Sequence, residues 1–284
     1  MFPDKFEYYA PKSVEEATKF LTEHEDAKIL AGGQSLIPLL KMRFTSVPEI
    51  VDIGRIKQLD GIQFSGNALE IGAMTRTSEI AEKPSIRKKF SMLSEAAGQI
   101  ADPLVRNMGT VGGDLCHGDP ANDFPAVMMA LDAEFEVSSA DQKRTVKAED
   151  FFVDTFATAL KPGEILTKIK IQDTGSSGRY MKYKKYAGDF SILGIAVNLL
   201  FDGKKVTKCG IGLTNCGATA LKAKEAEKFL EGKEINDENI ANAAELLLKV
   251  ADFMDDDNGS AKFKEKLLKY LFVKAVKGIR GVPK

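Results

Sequence analysis

The chain has no tryptophan, two histidines, three cysteines and no long apolar run, and each scarcity closes off a class of function. His24 and His117 alone cannot form a dedicated His-rich zinc site, and Cys116 beside His117 stands at no recognised ligand spacing. Cys116, Cys209 and Cys216 make no C-x-x-C pair, and their odd number argues against a disulfide framework, so they read as buried thiols. No apolar run approaches the roughly 20 residues that span a bilayer. The opening MFPDKFEYYAPKS has neither a basic nor an apolar leader region, so the expectation is a cytoplasmic chain without a membrane span. The 40 basic and 41 acidic residues are well mixed, which leaves no electrostatic footprint for nucleic acid. The P-loop pattern is missing, and Gly210-Ile211-Gly212 approaches G-x-G-x-x-G only to fail at Asn215, in a segment that reads as a strand.

What the chain does have is a glycine pair that occurs twice, in AGGQSL at 31–36 and GTVGGDL at 109–115. Backbone stripped of side chains and followed by a small polar residue can bring main-chain N–H groups against a diphosphate. One copy reads as a tight turn. Two copies suggest two loops closing on one extended anionic ligand, which puts a nucleotide cofactor first.

At 284 residues, 44% hydrophobic and 29% charged, the chain can bury a sizeable core and divides into two or three lobes. Ser13 and Glu16 have capping-box spacing, and Val14, Ala17, Phe20 and Leu21 form one apolar helical face. Strands are expected at 27–30 and 48–53, with a helix at 36–42 after the first glycine pair, so that loop sits where a buried strand hands over to a helix. Further strands are expected at 68–71, 134–137 and 164–171, with a helix around 84–99. The second glycine pair opens an irregular stretch, 114–124, of the kind that carries binding sites. TGSSG at 174–178 reads as a linker. Beyond it, strands at 190–201 and 205–213 flank a hairpin turn at Asp202 and Gly203. Two apolar helical stripes follow, Ile240, Ala243, Ala244, Leu247, Leu248 and Ala251, then Phe263, Leu267, Leu268 and Leu271.

The polar residues of the irregular stretch carry no acid–base or nucleophile constellation. His117 either touches a cofactor or is satisfied within the core. Asp119 and Asp123 are either paired carboxylates or, more economically, capping or hydroxyl-binding groups beside glycine-rich backbone. Asp255, Asp256 and Asp257 read as a solvated acidic run, because the continuation of an EF-hand is missing.

The segments FEYYAPKSVEEA, AGGQSLIPLLKMR, GTVGGDLCHGDPANDFPAVMMALDA, FFVDTFATALKPGEIL, KYKKYAGDFSI and GSAKFKEKLLKYLFVKA together resemble one family over nearly the whole chain. It is the FAD-binding medium subunit of molybdenum hydroxylases, of the xanthine dehydrogenase, carbon monoxide dehydrogenase and aldehyde oxidoreductase type. The resemblance implies an α+β fold: a two-lobed FAD-binding unit of the vanillyl-alcohol oxidase (PCMH) type at residues 1–55 and 56–173, then a C-terminal sheet-plus-helices domain at 179–284. It implies that Ala31, Gly32, Gly33, Gln34, Ser35 and Leu36, with Thr110, Gly112, Gly113 and Asp114, hold the FAD diphosphate and ribityl chain through backbone N–H groups and the hydroxyls of Ser35 and Thr110. Asp123 would accept hydrogen bonds from cofactor hydroxyls, Ile100 would lie near the cofactor, Ile165 near the adenine and Lys182 near the flavin or its chain. Phe190 would cover the isoalloxazine. One departure stands out: the family usually has Asn where this chain has Asp114, and a carboxylate repels a diphosphate unless it points to a donor.

The same resemblance implies partners. A large subunit with a molybdenum-pterin centre would oxidise the substrate, and a small subunit with two 2Fe–2S clusters would relay electrons to this FAD, in a heterotrimer that pairs into a dimer. The chain's own cysteines lack iron–sulfur spacing. In length and loop wording the chain resembles both the carbon monoxide dehydrogenase-like and the glyceraldehyde oxidoreductase medium subunits, and an aldehyde such as glyceraldehyde is the favoured substrate of the complex. Two other readings stand beside this one: a self-sufficient flavin enzyme, which would need its own proton donor in the C-terminal part, and a scaffold subunit that has lost FAD, against which the four intact glycines speak.

Overall fold

The computed structural model describes residues 2–279 and 282. Among the described residues, three sheets of three or more strands follow one another along the chain, with one two-stranded sheet beside them, and the element pattern is α+β throughout. In the first, β1 (Glu7–Tyr9), α1 (Val14–Glu23), β2 (Lys28–Leu30), α2 (Leu36–Lys41) and β3 (Glu49–Asp52) build a parallel sheet in the order β1-β3-β2. α1 begins at Ser13, whose Oγ accepts the Glu16 N–H at 3.1 Å, while the Glu16 carboxylate accepts the Lys12 N–H at 2.8 Å. The helix buries Val14, Ala17 and Leu21 against Val51 of the central strand and Ile165 of the next sheet. Phe20 sits at the edge of this face, stacked between Tyr9 and His24.

The second sheet is antiparallel, in the order β4-β5-β10-β6-β7, from β4 (Ile62–Ser65), β5 (Ala68–Gly72), β6 (Glu134–Ser138), β7 (Lys143–Lys147) and β10 (Ile165–Gln172). Between β5 and β6 lie α3 (Thr77–Glu82), α4 (Pro84–Lys89), α5 (Ser91–Gln99), α6 (Pro103–Met108), α7 (Val111–His117) and α8 (Asp123–Ala130). Two corrections arise here. The single helix expected around 84–99 is two, because the backbone leaves helical geometry at Phe90, whose buried ring anchors the corner. The second glycine pair lies in the first turn of α7 rather than in a loop, since Thr110 Oγ1 caps that helix by accepting the Gly113 N–H at 3.1 Å. After β7 come α9 (Ala148–Phe151) and a small hairpin of β8 (Phe152–Asp154) and β9 (Ala157–Thr158).

The third sheet, β11 (Ser177–Tyr183), β12 (Leu193–Asp202), β13 (Lys205–Thr214) and β14 (Leu221–Lys222), is antiparallel in chain order, followed by α10 (Lys224–Leu230), α11 (Asp237–Leu247) and α12 (Ala261–Lys277). The β12–β13 loop is Gly203-Lys204 rather than Asp202-Gly203, because Asp202 already pairs with Lys205 and Gly203 takes the positive φ of 59° at the first loop position. Leu248 and Ala251 lie beyond the end of α11, and Phe263 is exposed rather than part of the core stripe.

The way this sheet is covered follows from its alternation. Leu193, Ile195, Val197 and Leu199 of β12, with Cys209, Ile211 and Leu213 of β13, face α10–α12 in one cluster. The opposite face carries Gly194, Ala196, Gly210 and Gly212, and α8, buried along its whole length, lies on it. A Cβ on Gly212 would fall 1.9 Å from the Ala126 carbonyl oxygen, and one on Gly210 would fall 2.0 Å from that of Ala130. The G-x-G in this strand is thus a helix-docking surface. Gly212→Val should cost more than about 3 kcal/mol by forcing α8 off the sheet, whereas Gly98→Ala, with open space at its Cβ, should gain about 0.5 kcal/mol of helix propensity. Chemical denaturation of the two variants checks both signs.

Candidate cofactor site

The two glycine segments touch. A Cβ on Gly32 would lie 2.4 Å from the Met108 carbonyl oxygen and 2.8 Å from Gly109 Cα, and one on Gly113 would lie 3.5 Å from Ala31 Cβ. The chain entering α7 is held there by Arg76, whose guanidinium donates to the Met108 carbonyl, and by a bridge in which Thr77 N–H reaches Gly109 O and Val111 N–H reaches Thr75 O. Gly112 packs on Ala73, where a Cβ would fall 2.6 Å from the Ala73 methyl. Gly33 has φ of +73°, and a side chain there would also meet Ile37.

The segments differ in what they offer a ligand. Among the described residues, the N–H groups of Gly32, Gly33, Gln34 and Ser35 donate to no protein acceptor, and the Ser35 hydroxyl makes no capping bond to α2. Those of Val111, Gly112, Gly113 and Asp114 are all used, to Thr75 O, Ala73 O, Thr110 Oγ1 and Thr110 O. The first segment therefore presents donors, while the second presents bare Cα surface and the Thr110 hydroxyl, which accepts from Gly113 and keeps its own proton to give. Gln34 stiffens the first loop by donating its side-chain amide to Gly32 O at 3.1 Å.

Around α8 lies a buried polar cluster. Asp123, in the first turn, accepts from the Tyr180 hydroxyl and from Ser191 Oγ at 2.7 Å through Oδ1, and pairs with Lys182 Nζ at 2.8 Å through Oδ2. Both side chains of the ion pair are almost fully enclosed, at 2% and 4% exposure for Lys182 and Asp123. Burial and the Asp123 carboxylate push the Tyr180 phenol well above its ordinary pKa, so it stays a donor. The Asn215 amide donates to the carbonyls of Ser191 and Ile192, at 2.8 and 3.2 Å, fixing the segment that carries Phe190. Asp123, expected to accept from cofactor hydroxyls, accepts from three protein donors, Tyr180 and Lys182 on β11 and Ser191 in the loop before β12.

The other sequence-derived residues scatter. Phe190 is 63% exposed, an aromatic face turned to solvent. Ile100 closes α5 and is half-buried, its carbonyl held by Arg106 Nη1 at 2.8 Å. Ile165 is buried in the core between the first two sheets. Asp119 is a turn residue, accepting the Ala121 N–H at 2.9 Å, and the His117 ring lies 5.1 Å from Phe156, its pKa lowered by burial and opposed by Asp119. A cleft of about 770 Å³ runs between α5 and β11, lined by Arg87, Glu95, Gln99, Arg106, Arg179 and Lys182; the glycine segments do not line it, although Lys182 links the two regions. Sequence reasoning did not find Tyr180, Ser191 or Asn215, whose roles depend on contacts across the fold.

Residues 4–172 match the family described as FAD binding domain in molybdopterin dehydrogenase, and residues 178–279 the family described as CO dehydrogenase flavoprotein C-terminal domain. The chain belongs to the FAD-binding medium subunits of molybdenum hydroxylases. It is 39% identical to the carbon monoxide dehydrogenase medium chain of Hydrogenophaga pseudoflava, with 93% of each chain covered, and 35% identical to the glyceraldehyde dehydrogenase medium chain of Sulfolobus acidocaldarius, with 98% of this chain and 100% of that one covered. The solved carbon monoxide dehydrogenase from Hydrogenophaga pseudoflava superposes with a TM-score of 0.94 at 39% identity, covering 98% of each chain. As a medium subunit of this family the protein is the FAD component of an oxidoreductase, and its free N–H loop and side-chain-free neighbour suit an extended diphosphate.

No helix among the described residues is long and apolar enough to cross a membrane. Lys182→Met leaves Asp123 buried without its cation and should lower the unfolding free energy by about 3 kcal/mol, read by denaturant titration.

Proposed function

We propose that this chain is the electron-relay subunit of a heterotrimeric molybdenum hydroxylase, receiving electrons from 2Fe–2S clusters of a small subunit while a molybdenum-pterin large subunit oxidises an aldehyde, glyceraldehyde being favoured. The electrons leave to an external acceptor, and two heterotrimers pair. The observation that carries the reading is the meeting of the two glycine segments with four free N–H groups on one of them. FAD, when bound, supplies a group that takes up electrons singly and releases them as a pair.

The chain's part is to bind and orient. Ala31, Leu36 and the N–H groups of Gly32, Gly33, Gln34 and Ser35 would form the diphosphate cradle, the Ser35 and Thr110 hydroxyls would hold oxygens of the chain, and Gly112 and Gly113 would let it approach the backbone. Phe190, an aromatic exposed on a segment fixed by Asn215 and Ser191, is suited to cover one face of the isoalloxazine. Lys182 and Asp123 would act on the cofactor through the placement of that segment and of β11, with Ile100 alongside. Ile165, buried as it is, would support the adenine end from beneath. Three free thiols, two of them buried, fit assembly in the reducing cytoplasm.

The aldehyde reading is supported by full-length similarity to the archaeal glyceraldehyde dehydrogenase medium chain, and carbon monoxide is the second reading, supported by the higher identity to that relative. Anaerobic visible spectra of the chain alone and of its native complex, each with glyceraldehyde or carbon monoxide added, test both. Flavin that bleaches with glyceraldehyde only in the complex supports the proposal; bleaching with carbon monoxide alone favours the second reading, and bleaching in the isolated chain overturns the relay role. Gly33→Val should remove flavin from the purified chain, because a β-branched residue is strained at that positive φ and meets Ile37. Full FAD occupancy in this variant would overturn the assigned cradle.

A further inference from the structure

Asp114 closes the second glycine segment and is in conflict with its surroundings. Neither of its carboxyl oxygens accepts a hydrogen bond from the protein among the described residues, and Oδ1 is sealed from solvent without a partner. The residue as a whole is half-buried, and Oδ2, unlike Oδ1, is not sealed from solvent. The charged groups that act on it are Asp119 in the loop after α7, Asp123 on α8 and Lys182 on β11; the other titratable groups on its own helix are the Cys116 thiol, whose pKa burial and then Asp114 raise, and the His117 ring. The one cation among them is already bonded to Asp123 at 2.8 Å. A buried carboxylate with two anionic neighbours and no counter-ion neutralises itself by taking a proton.

We propose that Asp114 serves the cofactor as a neutral carboxylic acid, donating its hydroxyl hydrogen through Oδ2 to an oxygen of bound FAD. Cofactor binding then takes up a proton wherever the pH lies above the pKa of the free chain and below that of the complex. The inference rests on the FAD reading above and adds a protonation state to it. Burial first, then Asp123 and Asp119, hold the Asp114 pKa well above the carboxylate range, while Lys182 opposes them weakly. An ionised Asp114 would face the diphosphate with like charge, and the neutral acid presents an O–H in the place of an amide N–H. Because the bound form requires the proton, binding is strongest below the pKa of the free chain. It weakens as the pH rises from that value to the higher pKa of the complex, and levels off above it.

The test titrates FAD into the apo full-length chain between pH 6 and 9, following flavin fluorescence, with Asp114→Asn and Asp114→Ala beside the wild type and melting curves as a check of folding. The wild type should weaken by up to about tenfold per pH unit within its window. Asp114→Asn, which keeps an N–H donor and cannot titrate, should bind at every pH as the wild type does at low pH, and Asp114→Ala should bind more weakly without a slope. Calorimetry in buffers of different ionisation enthalpy, at a pH where the wild-type slope is steepest, should find proton uptake on FAD binding by the wild type and by His117→Gln, and none by Asp114→Asn. Equal slopes in the wild type and Asp114→Asn, or a flat wild type with a weakened Asp114→Asn, would overturn the proposal while leaving the chain a flavoprotein. Failure of every variant and of the native complex to hold FAD would overturn the FAD reading and this inference with it.

Discussion

The structure depends on backbone approaching backbone more closely than one methyl group would allow. At Gly32 the first glycine segment lies against the Met108 carbonyl, at Gly112 the first turn of α7 lies on Ala73, and at Gly212 β13 lies on α8. These contacts join the first sheet to the helical layer, the helical layer to the second sheet, and the second lobe to the third. Glycine raises the entropy lost on folding, and it is retained where the close approach returns more than that loss. Such contacts are also stiff, because a dense interior yields little when its walls are main chain.

On that stiff frame a few polar groups decide where the movable parts sit. Asp123 stands in the first turn of a helix that has no exposed residue, so its charge must be answered inside the protein. Lys182 answers it as an ion pair, Tyr180 and Ser191 as hydrogen-bond donors, and Gly194 leaves the room Tyr180 needs, since a Cβ there would lie 2.5 Å from the phenol oxygen. An ion pair so enclosed adds little net stability but penalises any arrangement that separates its members. The consequence is register: β11, α8 and the segment of Phe190 take one relative position.

Sequence patterning disclosed what is local. The α1 cap at Ser13 and the β12–β13 hairpin follow from spacing and turn chemistry, the α+β organisation from the family resemblance, and both glycine pairs stand out without any structure. What escaped was set by partners distant in the chain. The Gly-x-Gly of β13 is a poor nucleotide fingerprint on its own terms, but the reason for its glycines is a helix roughly eighty residues earlier. Lys182 and Asp123 are 59 residues apart, and nothing in either segment announces the other. The break at Phe90 has no proline or glycine to mark it. The helical start at Thr110 was legible as an N-cap residue two positions before the glycine pair, a signal overridden by the expectation that paired glycines make loops.

Two equivalent loops would grip an extended anion symmetrically, each with its own N–H groups. Here the donors of α7 are spent on Thr75, Ala73 and Thr110, so the helix holds its own position against the second sheet and cannot tighten on a ligand without giving up those bonds. The loop after β2 carries the opposite burden: four N–H groups unanswered by protein, a positive φ at Gly33 and one side-chain brace from Gln34. An anion placed between the two would find its free N–H donors in the loop, while the helix offers a fixed wall with two polar features, the Thr110 hydroxyl and the Asp114 carboxyl. A wall built this way adds no positive charge of its own, and burial with Asp123 and Asp119 nearby holds the Asp114 carboxyl well above the usual carboxylate range.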